Sequence, residues 1–206
     1  AKLQDLLIYS LKGIAEIVVK GNLDVKDLGP VNHEVLKGLF MTITNANFDA
    51  EAFETEIKKM LTLRKMLKAK VTAADWHDAV TFEVDSKEAM LEKAASVGVL
   101  ATQNEDVRSL REMITYGLKG LAAYAHHALN IGKENQDLYA FVYEALAATL
   151  DDGLTAEDLV ALTLKTGQFG VAAMALLDEA NTSKYGHPQI TEVNLGVRGN
   201  PAILIT

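Results

Sequence analysis

Five histidines and no cysteine bound the chemistry open to this 206-residue sequence. Without thiolates it can form no disulfide, no thiolate zinc site and no cysteine-ligated iron–sulfur cluster of its own. The adjacent pair His126-His127 is the most suggestive feature. Neighbouring residues of a helix point about 100° apart, so the two rings cannot easily share one metal, and the pair reads as one packed and one surface imidazole. The stretch "HEVLK" at 33–37 begins like a zinc-protease helix, but Lys37 stands where the second histidine would be. No glutamate has a histidine three residues later, which removes the Glu-x-x-His pattern of di-iron bundles. The Gly196–Gly199 stretch lacks the third glycine and the following helix of a dinucleotide site. No nucleophile-elbow motif is present, and Tyr185-Gly186-His187-Pro188 reads as a turn, with His187 held extended by the proline. The sequence therefore assigns no catalytic, cofactor-binding or metal-ligating residue. His126 and His127 are the first side chains to examine should iron be found.

The bulk properties exclude further classes. Hydrophobic residues make up 49% and charged residues 23%, a globular balance. A net charge of −8 argues against a broad phosphate-binding surface, so no nucleic-acid partner is expected. No uninterrupted apolar run reaches the roughly 18–20 residues of a membrane span, and no basic-then-apolar leader begins the sequence. The expectation is a cytoplasmic protein with no membrane partner. Asn181-Thr182-Ser183 then reads as a chance match to the glycosylation pattern.

Helical periodicity dominates. Leu3, Leu6, Leu7, Leu11, Ile14 and Val18 form one stripe of an amphipathic helix. Residues 21–30 read as a loop closed by Pro30, and Val35, Leu36, Leu39, Phe40 and Ile43 mark a second helix. Asp49 caps a third helix reaching about Lys70, with Arg64, Lys65, Lys68 and Lys70 at the end where the helix dipole favours cations. Residues 71–85 contain "VTFEV", a short strand or extended connector, and a short helix follows around Ser86–Ser96. Further helices are expected over 105–130, over 135–151, and from the cap Thr155 to about Ala180. The tail is rich in turn formers and ends in the apolar run "AILIT", which suits the first strand of a buried sheet in a domain that follows.

One segment occurs twice. Leu3 to Ala15, "LQDLLIYSLKGIA", aligns without a gap with Leu110 to Ala122, "LREMITYGLKGLA", at an offset of 110 − 3 = 107. "FDAEAF" at 48–53 matches "LTAEDL" at 154–159 one residue out of step. The unit is a helix–helix–helix of about 100 residues, too long for a solenoid repeat. The expected fold is all-α: two tandem three-helix bundles related by internal duplication and a pseudo-twofold. The first covers 1–100 with its connector, the second 101–181, and 182–206 form an extended tail that would start an α/β domain lying beyond. Gly13 and Gly120 each follow a tyrosine by four residues, on the same flank, and predict equivalent close contacts. Lys12 and Lys119 point off the apolar stripe and are expected on a solvated face or in ion pairs.

Together with "ITNANFDAEAFE", "LATQNEDVRSLREMITYGLKGLAAYAHHA" and "ALLDEANTSKYGHPQITEVNLGVRGNPAILIT", these segments closely resemble the helical first domain of the hybrid cluster proteins, also called prismane proteins or hydroxylamine reductases. The resemblance covers essentially the whole chain. It implies two three-helix bundles followed by two α/β domains, in a fold related to carbon monoxide dehydrogenases. It further implies a conventional iron–sulfur cluster on an N-terminal cysteine run and a hybrid iron–sulfur–oxygen cluster between domains. The family reduces hydroxylamine to ammonia and water, and nitric oxide reduction is also attributed to it. The cysteine run would precede Ala1 and the histidine and glutamate ligands would follow Thr206, so no cluster ligand carries over to a residue here. The expected partners are the remaining domains of the parent protein and a redox electron donor for it. The alternative is a stand-alone helical interaction protein without catalytic activity.

Overall fold

A computed structural model describes residues 2–44, 48–192, 196 and 199–203. The long helices are α1 (Lys2–Lys20), α2 (Gly29–Met41), α3 (Ala50–Lys68), α6 (Glu105–Asn130), α7 (Gln136–Ala148) and α8 (Ala156–Tyr185), with the short α4 (Asp78–Thr81) and α5 (Lys87–Ser96) between the two units. No strand occurs among the described residues, so the "VTFEV" region is one helical turn followed by extended chain. Polar caps set the starts. Asp49 accepts from the Ala52 N–H, Ser86 from Ala89, Asn104 from Val107, and Thr155 forms a reciprocal capping box with Asp158. Pro30 opens a helix instead of closing a loop. It sits in the first turn of α2, where its missing N–H costs nothing, directly after a 3₁₀ turn over Val25–Leu28.

The duplication is visible in the packing. α1 lies against α3 of its own unit and α7 of the other; α6 lies against α8 of its own unit and α2 of the other. Exchanging α1 for α6, α2 for α7 and α3 for α8 maps one set of neighbours onto the other, as a pseudo-twofold requires. The middle helices are thus traded between units, and one apolar core runs through both. A buried hydrogen bond fixes the exchange: Tyr143 Oη of α7 donates to Asn32 Oδ1 of α2 at 2.8 Å, and Asn32 Nδ2 donates to the Val25 carbonyl at 2.7 Å. Tyr143 is 1% exposed, so its hydroxyl needs that partner.

The symmetry stops at the repeated glycines. A Cβ on Gly13 would lie 2.1 Å from the Ala79 carbonyl oxygen and 2.7 Å from its carbon, so α4 can seat on α1 only because position 13 has no side chain. A Cβ on Gly120 would meet nothing within 4 Å. The expectation of equivalent contacts fails because, among the described residues, nothing covers α6 as α4 covers α1. Arg64 also departs from its expected place at a helix end. It is 1% exposed, donates Nη1 to the Ala79 carbonyl at 2.8 Å and Nη2 to the Phe82 carbonyl, and lies 4.4 Å from the Phe82 ring centre. Its guanidinium ties α4 and the chain after it to α3.

α8 continues past Ala180 to Tyr185, where Gly186 at φ 81° ends it. Its length and composition would suffice to cross a membrane, although no long uninterrupted apolar run announces this, and only 22% of its most apolar window is buried. Beyond it the described residues form neither helix nor strand; Ala202 and Ile203 are exposed, and Leu204–Thr206 of the expected strand lie outside the described residues.

These contacts separate two substitutions that look alike in sequence. Gly13→Ala should lower stability by about 1–3 kcal/mol, the usual cost of overpacking, whereas Gly120→Ala should raise it by up to about 1 kcal/mol through helix propensity; urea melts of the two variants decide this. Arg64→Met should cost about 2–4 kcal/mol, because it strands two buried carbonyls that share one cation. The same melts, with circular dichroism showing an unchanged helix content, would check it.

Candidate functional site

A cleft of about 560 Å³ lies between α1 and α6, closed below by Ser96–Asn104 and the α7–α8 loop. Because α1 and α6 carry the same repeat, the cleft receives the same residues twice: Asp5 with Glu112, and Lys12 with Lys119. The lysines sit neither on an open face nor in ion pairs. Neither belongs to any ion pair among the described residues, and burial lowers the pKa of both, Lys12 to about 8. Lys12 is partly exposed as a residue, but its ammonium lies deep among side chains. Burial pushes the Asp5 carboxyl upward, against the pull of nearby positive charge from Lys119 and Lys12. Arg111 closes the far wall, donating Nη2 to the Asp151 carbonyl and to Asp152 Oδ1, each at 2.9 Å; its buried Nε has no partner among the described residues.

At the near wall Tyr9 donates to Asp78 Oδ2 at 2.7 Å, and Lys93 donates to the same oxygen at 2.5 Å. Burial raises the Asp78 pKa, but these two hydrogen bonds outweigh it and hold the carboxyl below its ordinary value. Burial and the same carboxylate push the Tyr9 hydroxyl up. The pair anchors α4 beside Gly13. The repeat partner Tyr116 is 65% exposed and makes no such bond among the described residues.

The histidines stay dispersed. His126 and His127 have ring centres 6.4 Å apart at 70°, each against Phe40, with His126 partly buried and His127 exposed. Burial lowers the His126 pKa, with the positive charge of its neighbours adding to the effect. His33 pairs with Glu134 at 3.2 Å across the two units, Glu34 with Lys59 at 2.6 Å, and His77 Nδ1 accepts from the Ala79 N–H at 3.0 Å. His187 is exposed. No group of three or more His, Cys, Asp or Glu among the described residues is placed to hold a metal ion.

The sequence matches the family described as Prismane/CO dehydrogenase over residues 1–206. The chain belongs to that family. It is similar to proteins named hydroxylamine reductase from Acetivibrio thermocellus (66% identical), Clostridium perfringens (52%) and Clostridium tetani (51%), in each case over 100% of this chain. It spans 38%, 39% and 41% of the length of those three proteins. The iron–sulfur centres that the family implies do not fit the residues present. The sequence has no cysteine, and the cleft between α1 and α6 offers ammonium and guanidinium groups where a cluster needs thiolates.

The lysine pair gives a pH test. The folded pKa of Lys12, about 8, lies below its ordinary 10.5, so between those values the unfolded chain holds more protons and stability rises with pH. Below about pH 8 the buried charge destabilises the fold in full. Lys12→Met should therefore be more stable than the wild type at pH 7. Its advantage should shrink as urea melts move from pH 8 to 10; an advantage that stays constant would sink the assignment.

Proposed function

We propose that this chain is the helical scaffold of a longer, hydroxylamine reductase-like iron–sulfur oxidoreductase of the cytoplasm. The observation that carries the reading is a mismatch: full-length membership of a redox family in a chain with no cysteine that spans about two-fifths of its named relatives. The parent reaction joins hydroxylamine, two electrons and two protons to give ammonia and water. Electrons for such a reduction come from a redox cofactor, which in this family is expected to be an iron–sulfur centre, not from amide, carboxylate or imidazole groups. The cluster ligands therefore belong to other parts of the parent, the electrons come from a separate redox donor, and these helices supply a rigid body for the rest to fold on.

Two experiments test this. The coding sequence on either side of residues 1–206 should carry a cysteine run upstream and further domains downstream; stop signals at both ends would instead favour a stand-alone interaction protein. The purified 206-residue chain should be colourless, free of tightly bound iron and inert towards hydroxylamine with a reduced dye as donor, while the whole polypeptide should be brown and active. Stoichiometric iron on the isolated chain would refute the scaffold assignment and direct attention to His126 and His127.

A further inference from the structure

The two units differ most where α4 covers one of them. On α1 and α3, Ala79 and Val80 seat over Gly13, held by Arg64. Aligning the third helices by their starts gives an offset of 156 − 50 = 106, which pairs Leu61 with Gly167 and Arg64 with Gly170. The second unit thus has glycine where the first has a buried leucine and the guanidinium that fastens α4. What remains is an open apolar trough of about 370 Å³ between α6 and α8, floored by Gly117, Gly120, Gly167 and Gly170. Its rim is apolar and uncovered: Met113 is 58% exposed, Val171 61% and Met174 45%. Leu164 and Tyr116, on the same two helices, are 67% and 65% exposed.

Scattered exposed apolar residues are ordinary, but a contiguous trough flanked by large ones marks an interaction surface. The pseudo-twofold says what form its occupant takes. In the first unit the cover is the same polypeptide, the stretch that follows the third helix. In the second unit the third helix runs straight on to Tyr185, so the equivalent cover must come from farther along. The named relatives are more than twice as long as this chain, which matches their amino-terminal part. We infer that the α6–α8 trough seats an apolar segment from the carboxy-terminal remainder of the parent polypeptide, in the place that Ala79 and Val80 take on α1. This rests on the scaffold reading above. A lipid surface is the poorer occupant. The face of α8 that turns inward packs along α6, and Lys165 in mid-helix is paired with Glu144 at 2.6 Å, so α8 is a wall of a bundle with one bare side.

Met66 on α3, 46% exposed, provides an internal reference of exposure similar to that of Met113 and Met174. In the intact full-length polypeptide, methionine oxidation by dilute peroxide, followed by peptide mass spectrometry, should proceed at least tenfold more slowly at Met113 and Met174 than at Met66. Val171→Arg should restore their oxidation to within about twofold of Met66 while leaving helix content unchanged. Rates at all three methionines within twofold of one another in the unaltered protein would overturn the proposal. So would protection that vanishes on dilution to a monomer, which assigns the trough to a second copy. Protection that appears only with phosphatidylcholine–phosphatidylglycerol vesicles would assign it to a membrane and overturn it equally. Iron content and hydroxylamine turnover, read on the same sample, keep the two claims apart: protection without turnover sinks the enzyme reading alone, and turnover without protection sinks this one alone.

Discussion

The carbonyl oxygen of Ala79 is the point on which the first unit depends. It lies over the bare Cα of Gly13, and it accepts a hydrogen bond from buried Arg64 at 2.8 Å. A buried carbonyl must find a donor, and a buried guanidinium must find acceptors, so each makes the other tolerable. Through that oxygen α4 is joined to α1 on one side and α3 on the other. The bond from Tyr9 to Asp78 and the ion pair from Lys93 extend the same junction to α1 and α5. The consequence is a central helix: α1 is buried almost continuously from Leu6 to Val18, whereas α6, which carries the repeated segment, buries one stripe.

Trading α2 and α7 between units explains how a duplicated chain forms a single body. Each repeat lacks a full set of neighbours from its own unit and borrows a helix from the other, so neither core closes independently. The same arrangement brings the two copies of "SLKG" and "GLKG" toward a common cleft, which is why Lys12 and Lys119 lose water instead of gaining it. Like charges gathered by symmetry are costly in a low-dielectric cleft. Asp5 and Glu112, brought there by the same operation, offset part of that cost.

The proposed scaffold role would divide labour within a larger protein. Clusters need thiolates and a fixed protein dielectric; helices packed by apolar stripes supply rigidity without chemistry of their own.

Much of the architecture was legible in the sequence, because the signals are local. Apolar stripes at three- and four-residue steps gave the long helices, Asp49 and Thr155 gave their starts, and the 107-residue offset gave the duplication. The geometry of adjacent helix residues likewise separated His126 from His127. The errors came where the answer depends on what lies opposite. Pro30 marks a boundary in either direction, and only the preceding 3₁₀ turn decides that it opens a helix. Arg64 looks like its lysine neighbours until Ala79 and Phe82 supply the carbonyls that hold it inside. Gly13 and Gly120 are the same residue in the same motif, and Lys12 and Lys119 stand beside them. Sequence by itself determined that these positions lie on helices and recur; only the tertiary structure decided that one glycine is filled and the other bare, because contact and desolvation are properties of the facing segment, which no local pattern encodes.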